Sequence, residues 1–278
     1  MRFLKHWRWL VPLLLFSADA HAWGLYTHVY FAQLLLWAVP FTDRRYRRVI
    51  KTFPHLVLAG ACLPDLSLVA RYFGAHRLND THLWENPRAL LENANGDEEY
   101  AIALGYASHL LVDVIAHNHF VPAHEKMWPN LPLATHAAAE WAMDQHIAAQ
   151  LFVRPAALLQ QNRRQLAHYV ARHFDCTVEV AERILGCLSG AEAGLRASGL
   201  PQLCYRTART LDAGLQRRFN YYLSETALRL GHINRILAGE EPLWHAEPPC
   251  LESTRERIER VSRWQLRHRI PLPQDIFS

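Results

Sequence analysis

Apolar residues recur at three- and four-residue intervals through residues 29–39, 100–115, 135–151, 156–174, 178–188 and 207–237, the spacing of helices with one face turned inward. No comparable run alternates apolar and polar residues, so the pattern predicts an all-α protein, a multi-helix bundle. Pro40, Pro54, Pro64, Pro122, Pro132 and Pro155 fall between the periodic segments, and Gly96-Asp97 marks a start for the helix around Tyr100. Residues 71–96, rich in Asn, Asp, His and Pro, read as a long loop able to carry site residues. There is no internal repeat and no low-complexity stretch.

The first 22 residues stand apart from this pattern. Arg2, Lys5 and Arg8 precede a short apolar run, Trp9 to Phe16, and Ala20-His21-Ala22 has the small-x-small form of a cleavage site. The run is far below the roughly 18 residues that span a bilayer. Residues 1–22 are therefore expected to be a signal peptide, making the protein periplasmic or secreted. The rest divides into a core at 23–152 and a helical extension at 153–278 that either completes the same domain or forms its own module.

With 50% hydrophobic residues in 278, the chain has ample material for a core. Loss of the leader takes Arg2, Lys5, Arg8 and Asp19 with it and lowers the formal charge of +4 to about +2. That balance argues against a protein built to hold nucleic acid through its surface charge. Cys62, Cys176, Cys187, Cys204 and Cys250 are odd in number and none has CxxC spacing, which speaks against a thiolate zinc site. The extension is rich in Arg and Gln, and its "ESTRERIERVSRWQLRHRI" reads as a solvated helix packed by one face around Ile258, Val261 and Trp264.

Candidate chemistry lies between Trp23 and Glu140. His109 and Asp113, and again His136 and Glu140, are four residues apart, so on helices each pair projects from one face. His76 and Asp80 repeat the spacing, so spacing alone is weak evidence. Context strengthens the first pair: "GYASHLLVDVIAHNHF" is an apolar helix that buries an imidazole and a carboxylate, which is costly unless they are paired or bound to metal. A plain His-Asp hydrogen bond is the bland alternative. Cleavage after Ala22 adds another donor, because Trp23 then carries a free α-amine, with His28 about one turn further on.

Taken together, "WGLYTH", "AGACLPD", "THLW", "GYASHLLVDVIAHNHF" and "HAAAE", in that order behind a cleavage site, resemble the zinc-dependent phospholipase C family, relatives of the single-strand-specific zinc nucleases. The resemblance implies a helical bundle enclosing a trinuclear zinc site, up to three Zn²⁺ ions. It assigns one ion to Trp23, His28 and a bridging Asp113. It assigns a second to Asp113, His82 and His109, and a third to His119, His136 and Glu140. Asp65 of "LPD" matches the carboxylate that orients or deprotonates the attacking water. His117 competes with His119, and His76 with His82, as ligand. His124 and His146 are near enough in sequence for outer roles, and the remaining histidines read as packing or surface residues.

Imidazole and carboxylate donors without thiolate suit Zn²⁺, and clustered cations suit a phosphate diester. The implied activity is release of a phosphorylated headgroup from a glycerophospholipid, with transient membrane-surface contact and Trp84, Trp128 and Phe120 as candidate lipid contacts. Nuclease-like cleavage of single strands is the second reading, disfavoured by the low charge. An exported helical protein with a structural or degraded metal site is the third.

Overall fold

A computed structural model describes residues 24–128, 132–246, 252–267 and 276–277, so residues 1–22, expected to be a signal peptide, Trp23 and Cys250 lie outside the described residues. The described residues form helices and no strands: α1 (Leu25–Ala38), α2 (Arg44–Thr52), α3 (Pro54–Gly60), α4 (Glu85–Glu92), α5 (Asp97–Ile115), α6 (Val121–Met127), α7 (Pro132–Ile147), α8 (Pro155–Gln161), α9 (Arg163–His173), α10 (Val178–Ala197), α11 (Leu200–Leu211), α12 (Leu215–Arg229), α13 (Ile233–Leu237), α14 (Glu252–Arg260) and α15 (Arg263–Leu266). The all-α expectation holds.

The axis of the fold is α5. Asp97, Glu98 and Glu99 occupy its first turn, where carboxylates favour the positive end of the helix dipole, and every residue from Ala101 to Ile115 is buried. A single π-helical turn, Ala116–Phe120, joins it to α6. The resulting stretch Asp97–Met127 is long and apolar enough to cross a membrane, yet its most apolar window is 94% buried by the protein itself, which makes it a core helix. Around it pack α1, α2, α3 and α4. The α3–α5 crossing is close because Gly60 and Gly105 meet backbone where a side chain would stand: a Cβ on Gly105 would lie 2.0 Å from the Val57 carbonyl oxygen, and one on Gly60 2.2 Å from that of Ile102.

Several boundaries differ from expectation for physical reasons. Pro54, Pro64, Pro122 and Pro155 lie in the first turn of helical elements rather than merely between them, using positions where the missing N–H costs nothing. Residues 71–96 are not one loop: they contain 3₁₀ turns at Arg71–Phe73 and His76–Asp80, then α4. The segment 156–174 breaks at Asn162 into α8 and α9, and 207–237 is divided among α11, α12, a 3₁₀ turn and α13. The final basic segment is two helices, with Ser262 and Gln265 forming a capping box between them; Ile258 is buried while Trp264 is exposed.

One continuous apolar cluster draws on both halves of the chain, from Leu25 to Phe277. The extension also wraps back over the first half. Lys126 Nζ donates to the Ile258 carbonyl at 3.0 Å, Asn118 to the His245 carbonyl at 3.0 Å, and Trp84 Nε1 to the Trp244 carbonyl at 3.1 Å. Cys62, Cys176, Cys187 and Cys204 are free thiols.

Candidate metal centre

Four elements deliver donors to one point on α5. His109 and Asp113 project from the same face one turn apart, with His109 Nε2 2.9 Å from Asp113 Oδ2. From α1, His28 stacks its ring on His109 at 3.5 Å and brings Nε2 within 3.2 Å of Asp113 Oδ1. The turn before α4 places His82 Nε2 at 3.4 Å from Asp113 Oδ2 and 3.2 Å from His109 Nε2. Asp65, in the 3₁₀ turn Pro64–Leu66, sets Oδ1 3.9 Å from His109 Nε2. Asp113, His109, His28 and Asp65 are all buried.

The outer partners determine which ring nitrogens carry protons. His109 Nδ1 lies 2.8 Å from the Ala61 carbonyl, which can only accept, so Nδ1 bears the hydrogen and Nε2 the lone pair. The Thr81 hydroxyl donates to the Pro64 carbonyl at 2.6 Å, leaving its oxygen to accept from His82 Nδ1 at 3.2 Å. His82 Nε2 is then a lone pair as well. Two imidazole lone pairs facing each other beside an anionic carboxylate repel one another unless a cation lies among them.

The hydrogen-bond census agrees. Both oxygens of Asp113 and both nitrogens of His28 are buried without a well-directed hydrogen bond among the described residues. Two sets of donor atoms, each within 4.8 Å of one another, emerge: His28, His109 and Asp113, and Asp65, His82 and His109. Borderline nitrogen and hard oxygen donors without sulfur fit Zn²⁺.

Electrostatics prepares these groups for a cation. Burial pushes the Asp113 carboxyl up, but His109 and His28 outweigh it and hold it well below the usual carboxylate range. Burial, then His28, lowers His109, keeping its ring neutral. Burial lifts the Asp65 carboxyl to about 6 against the pull of His109 and His82.

The second pair is also assembled, in different company. On α7, His136 Nε2 is 2.9 Å from Glu140 Oε1, and its Nδ1 is 3.0 Å from Glu125 Oε1 on α6. Burial favours the neutral ring, yet Glu140 and Glu125 prevail and raise His136, while burial raises Glu140. The Asp144 and Asp113 charges raise Glu140 further. His119 does not join the pair in a three-donor set among the described residues. Arg257 from α14 brings Nη2 to 3.1 Å from His119 Nδ1; a guanidinium only donates, so Nδ1 accepts and the hydrogen sits on Nε2. In that state His119 offers no lone pair to a metal. His117, its competitor, is buried but lies outside both donor sets.

The structure brings His82 to the centre and leaves His76 exposed. Trp23 falls outside the described residues. Two of the three proposed lipid contacts are core residues instead. Phe120 is fully buried against Phe219 and Tyr222, and Trp84 is buried with its indole N–H bonded to the backbone. Neither His124 nor His146 touches the centre: the first bonds the Phe120 carbonyl at 2.7 Å and the second bonds Tyr205 and Asn220. Sequence reasoning missed Glu125 and Arg257. No local signal marks Arg257, which reaches His119 from 138 residues away.

A proton must leave His136 before it can ligate, whereas His109 is already neutral. Lowering pH is therefore expected to remove metal from the His136–Glu140 pair before the Asp113 cluster, since affinity at a raised imidazole falls about tenfold per pH unit below its pKa. Metal content measured between pH 8 and 6 in wild type and His136→Ala checks this: the variant should lack the early phase, and an unchanged profile would contradict it.

Residues 27–196 match the family model described as zinc dependent phospholipase C. The chain belongs to that family. No curated protein and no solved structure matches it. As a member of the zinc-dependent phospholipase C family it has a hydrolase's ancestry, and the match begins at Thr27 and ends at Arg196, spanning every donor in the Asp113 cluster as well as His136 and Glu140.

Proposed function

We propose that this protein is an exported zinc-dependent phosphodiesterase that releases a phosphorylated headgroup from a glycerophospholipid. The observation that carries the reading is the buried Asp113 carboxylate facing His28, His82 and His109 at 2.9–3.4 Å. Family membership supplies the phosphodiester chemistry.

His82, His109 and Asp113 would hold one ion and His28 and Asp113 another, the latter to be completed by the amine and carbonyl of Trp23 if residues 1–22 are cleaved off. His136 and Glu140 would hold a third, with His119 joining if Arg257 withdraws. Zinc, when bound, supplies Lewis acidity for the phosphoryl oxygens and acidifies water. Asp113 would set the spacing between His28 and the His82–His109 pair, since one oxygen faces His28 and the other His82 and His109. The Ala61 carbonyl and Thr81 hydroxyl hold the two rings in the ligating tautomer. Asp65 is the proton acceptor: burial lifts its carboxyl to about 6, which lets it take a proton from attacking water near neutral pH. Attack on phosphorus then breaks the bond to the diacylglycerol oxygen, which leaves as an alkoxide and takes a proton from the protonated Asp65 or from solvent.

The test is to count the metals of the mature protein and to assay phosphatidylcholine, single-stranded nucleic acid and a chromogenic diester side by side. Phosphatidylcholine turnover that ceases with chelation and returns with zinc is the expected result. Preference for single strands, with a steep fall in salt, would support a nuclease. A metal-loaded protein inert to all three would support a structural centre. Asp65→Asn is expected to keep its metal while kcat falls about 10²–10⁴-fold, the usual contribution of a general base. Metal loss instead would make Asp65 a ligand.

A further inference from the structure

Behind the metal donors on α7 lies a buried acid that the reaction does not use. His136, Glu140 and Asp144 follow one another at four-residue steps, so they form a single stripe along the helix. The first two face one another as donors. Asp144, fully buried, turns instead to the beginning of α1: its Oδ1 accepts from the Thr27 backbone N–H at 3.0 Å and from the Thr27 hydroxyl at 2.8 Å. Thr27 is the third residue of α1; its backbone N–H, 2.9 Å from the Gly24 carbonyl, is shared with Asp144, which braces the first turn from 117 residues away. Gly24, at the cap position, has no side-chain cap of its own.

The carboxylate is braced on its other side. Arg196 Nη2 donates to Asp144 Oδ2, Arg196 Nε binds Glu192 Oε1 at 2.5 Å, and the guanidinium lies 4.0 Å over the Tyr26 ring. Packing is so close that a Cβ on Gly24 would stand 2.2 Å from Asp144 Oδ2, so a larger residue there would push the carboxylate off its bonds to Thr27. His28 follows immediately, stacked on His109 and aimed at Asp113.

We infer that Asp144, braced by Arg196, is a positioning residue for the metal centre: it pins the first turn of α1, fixing both the approach of His28 to Asp113 and the point from which the chain ahead of Gly24 departs. This rests on the zinc-centre reading above. It gives the Trp-Gly pair its physical sense, because the glycine is what lets the clamp close. It also gives α10 a task at the centre, through Arg196, although it contributes no donor to either set.

The experiment titrates the metal-free chain with Co²⁺, followed by its visible absorption, and with zinc by competition. Asp144→Ala is expected to weaken one metal equivalent at least tenfold and leave the others within twofold. Asp144→Asn keeps an acceptor for Thr27 and should restore part of the loss; Thr27→Val, which removes only the hydroxyl bond and disturbs folding least, should show a smaller shift at the same equivalent. In a His28→Ala background, Asp144→Ala should add less than twofold, because the two act on one ligand. A full additional loss in that background, or equal weakening of every equivalent, marks a merely structural role and overturns the inference. Unchanged affinities in all three single variants overturn it too, with the zinc-centre reading intact. A wild-type chain that takes up no metal overturns both.

Discussion

Asp113→Asn is expected to lose metal from both of the sites proposed to share its carboxylate and to cut kcat/KM on the order of 10³-fold or more, since each polarising ion contributes several kcal/mol to the transition state. The substitution is nearly isosteric, so the loss comes from chemistry rather than packing. One carboxylate oxygen faces His28 and the other faces His82 and His109; an amide puts a carbonyl toward one set and two hydrogens toward the other. Those hydrogens would point where a cation belongs. A second measurement separates this from unfolding. Zinc is expected to raise the Tm of wild type above that of its own metal-free form, and in the variant that rise should shrink, whatever the metal-free variant loses with a carboxylate that His109 and His28 favour as the anion. Full metal content with full activity in Asp113→Asn would remove the basis of the proposed function.

What the sequence discloses tracks the range of the interaction involved. Helix α5 is legible because its signals are local: an acidic first turn after Gly96, then an apolar run interrupted by His109 and Asp113. The same interruption exposes that pair as candidates, because a charge in a buried helix demands a partner. Helix α2 leaves a fainter trace: in "RRYRRVIKT" Tyr46, Val49 and Ile50 stand at helical spacing, but Val49 alone is fully buried and the stripe is too short to stand out among the basic residues. The 3₁₀ turns within residues 71–96 are too short for any period to show, which is why His76 and His82 could not be separated until the chain was folded. Asp144 was within reach as the third member of the His136–Glu140 stripe, but its partner Thr27 lies 117 positions away. Tautomers are the least legible part, since they depend on the Ala61 carbonyl for His109, on Thr81 for His82 and on a distant arginine for His119.

The largest effect on the fold itself is expected from Gly105→Ala. A Cβ there would lie 2.0 Å from the Val57 oxygen and 2.8 Å from the Ala61 nitrogen, and both are backbone atoms of or just beyond α3, unable to rotate aside as a side chain would. Relief requires α3 and α5 to separate along the whole crossing, against a core in which Leu56, Val57, Leu104 and Ala107 are buried. Overpacking of this kind costs about 3 kcal/mol, which for a chain of this size lowers Tm by on the order of 10 °C. The damage should reach the chemistry as well. Gly105 is one turn before His109, and the ring of His109 is held by the Ala61 carbonyl at the end of α3, so parting the helices lengthens the 2.8 Å bond that sets its tautomer. Zinc affinity should fall together with stability. Gly190→Ala is the matched control: it is also helical, a Cβ there meets nothing within 4 Å, and removing glycine's excess freedom should raise stability by about 0.5–1 kcal/mol. Thermal melts and zinc titrations of both variants decide the matter, and a Gly105→Ala protein as stable as wild type would mean that the two helices do not cross at the separation described.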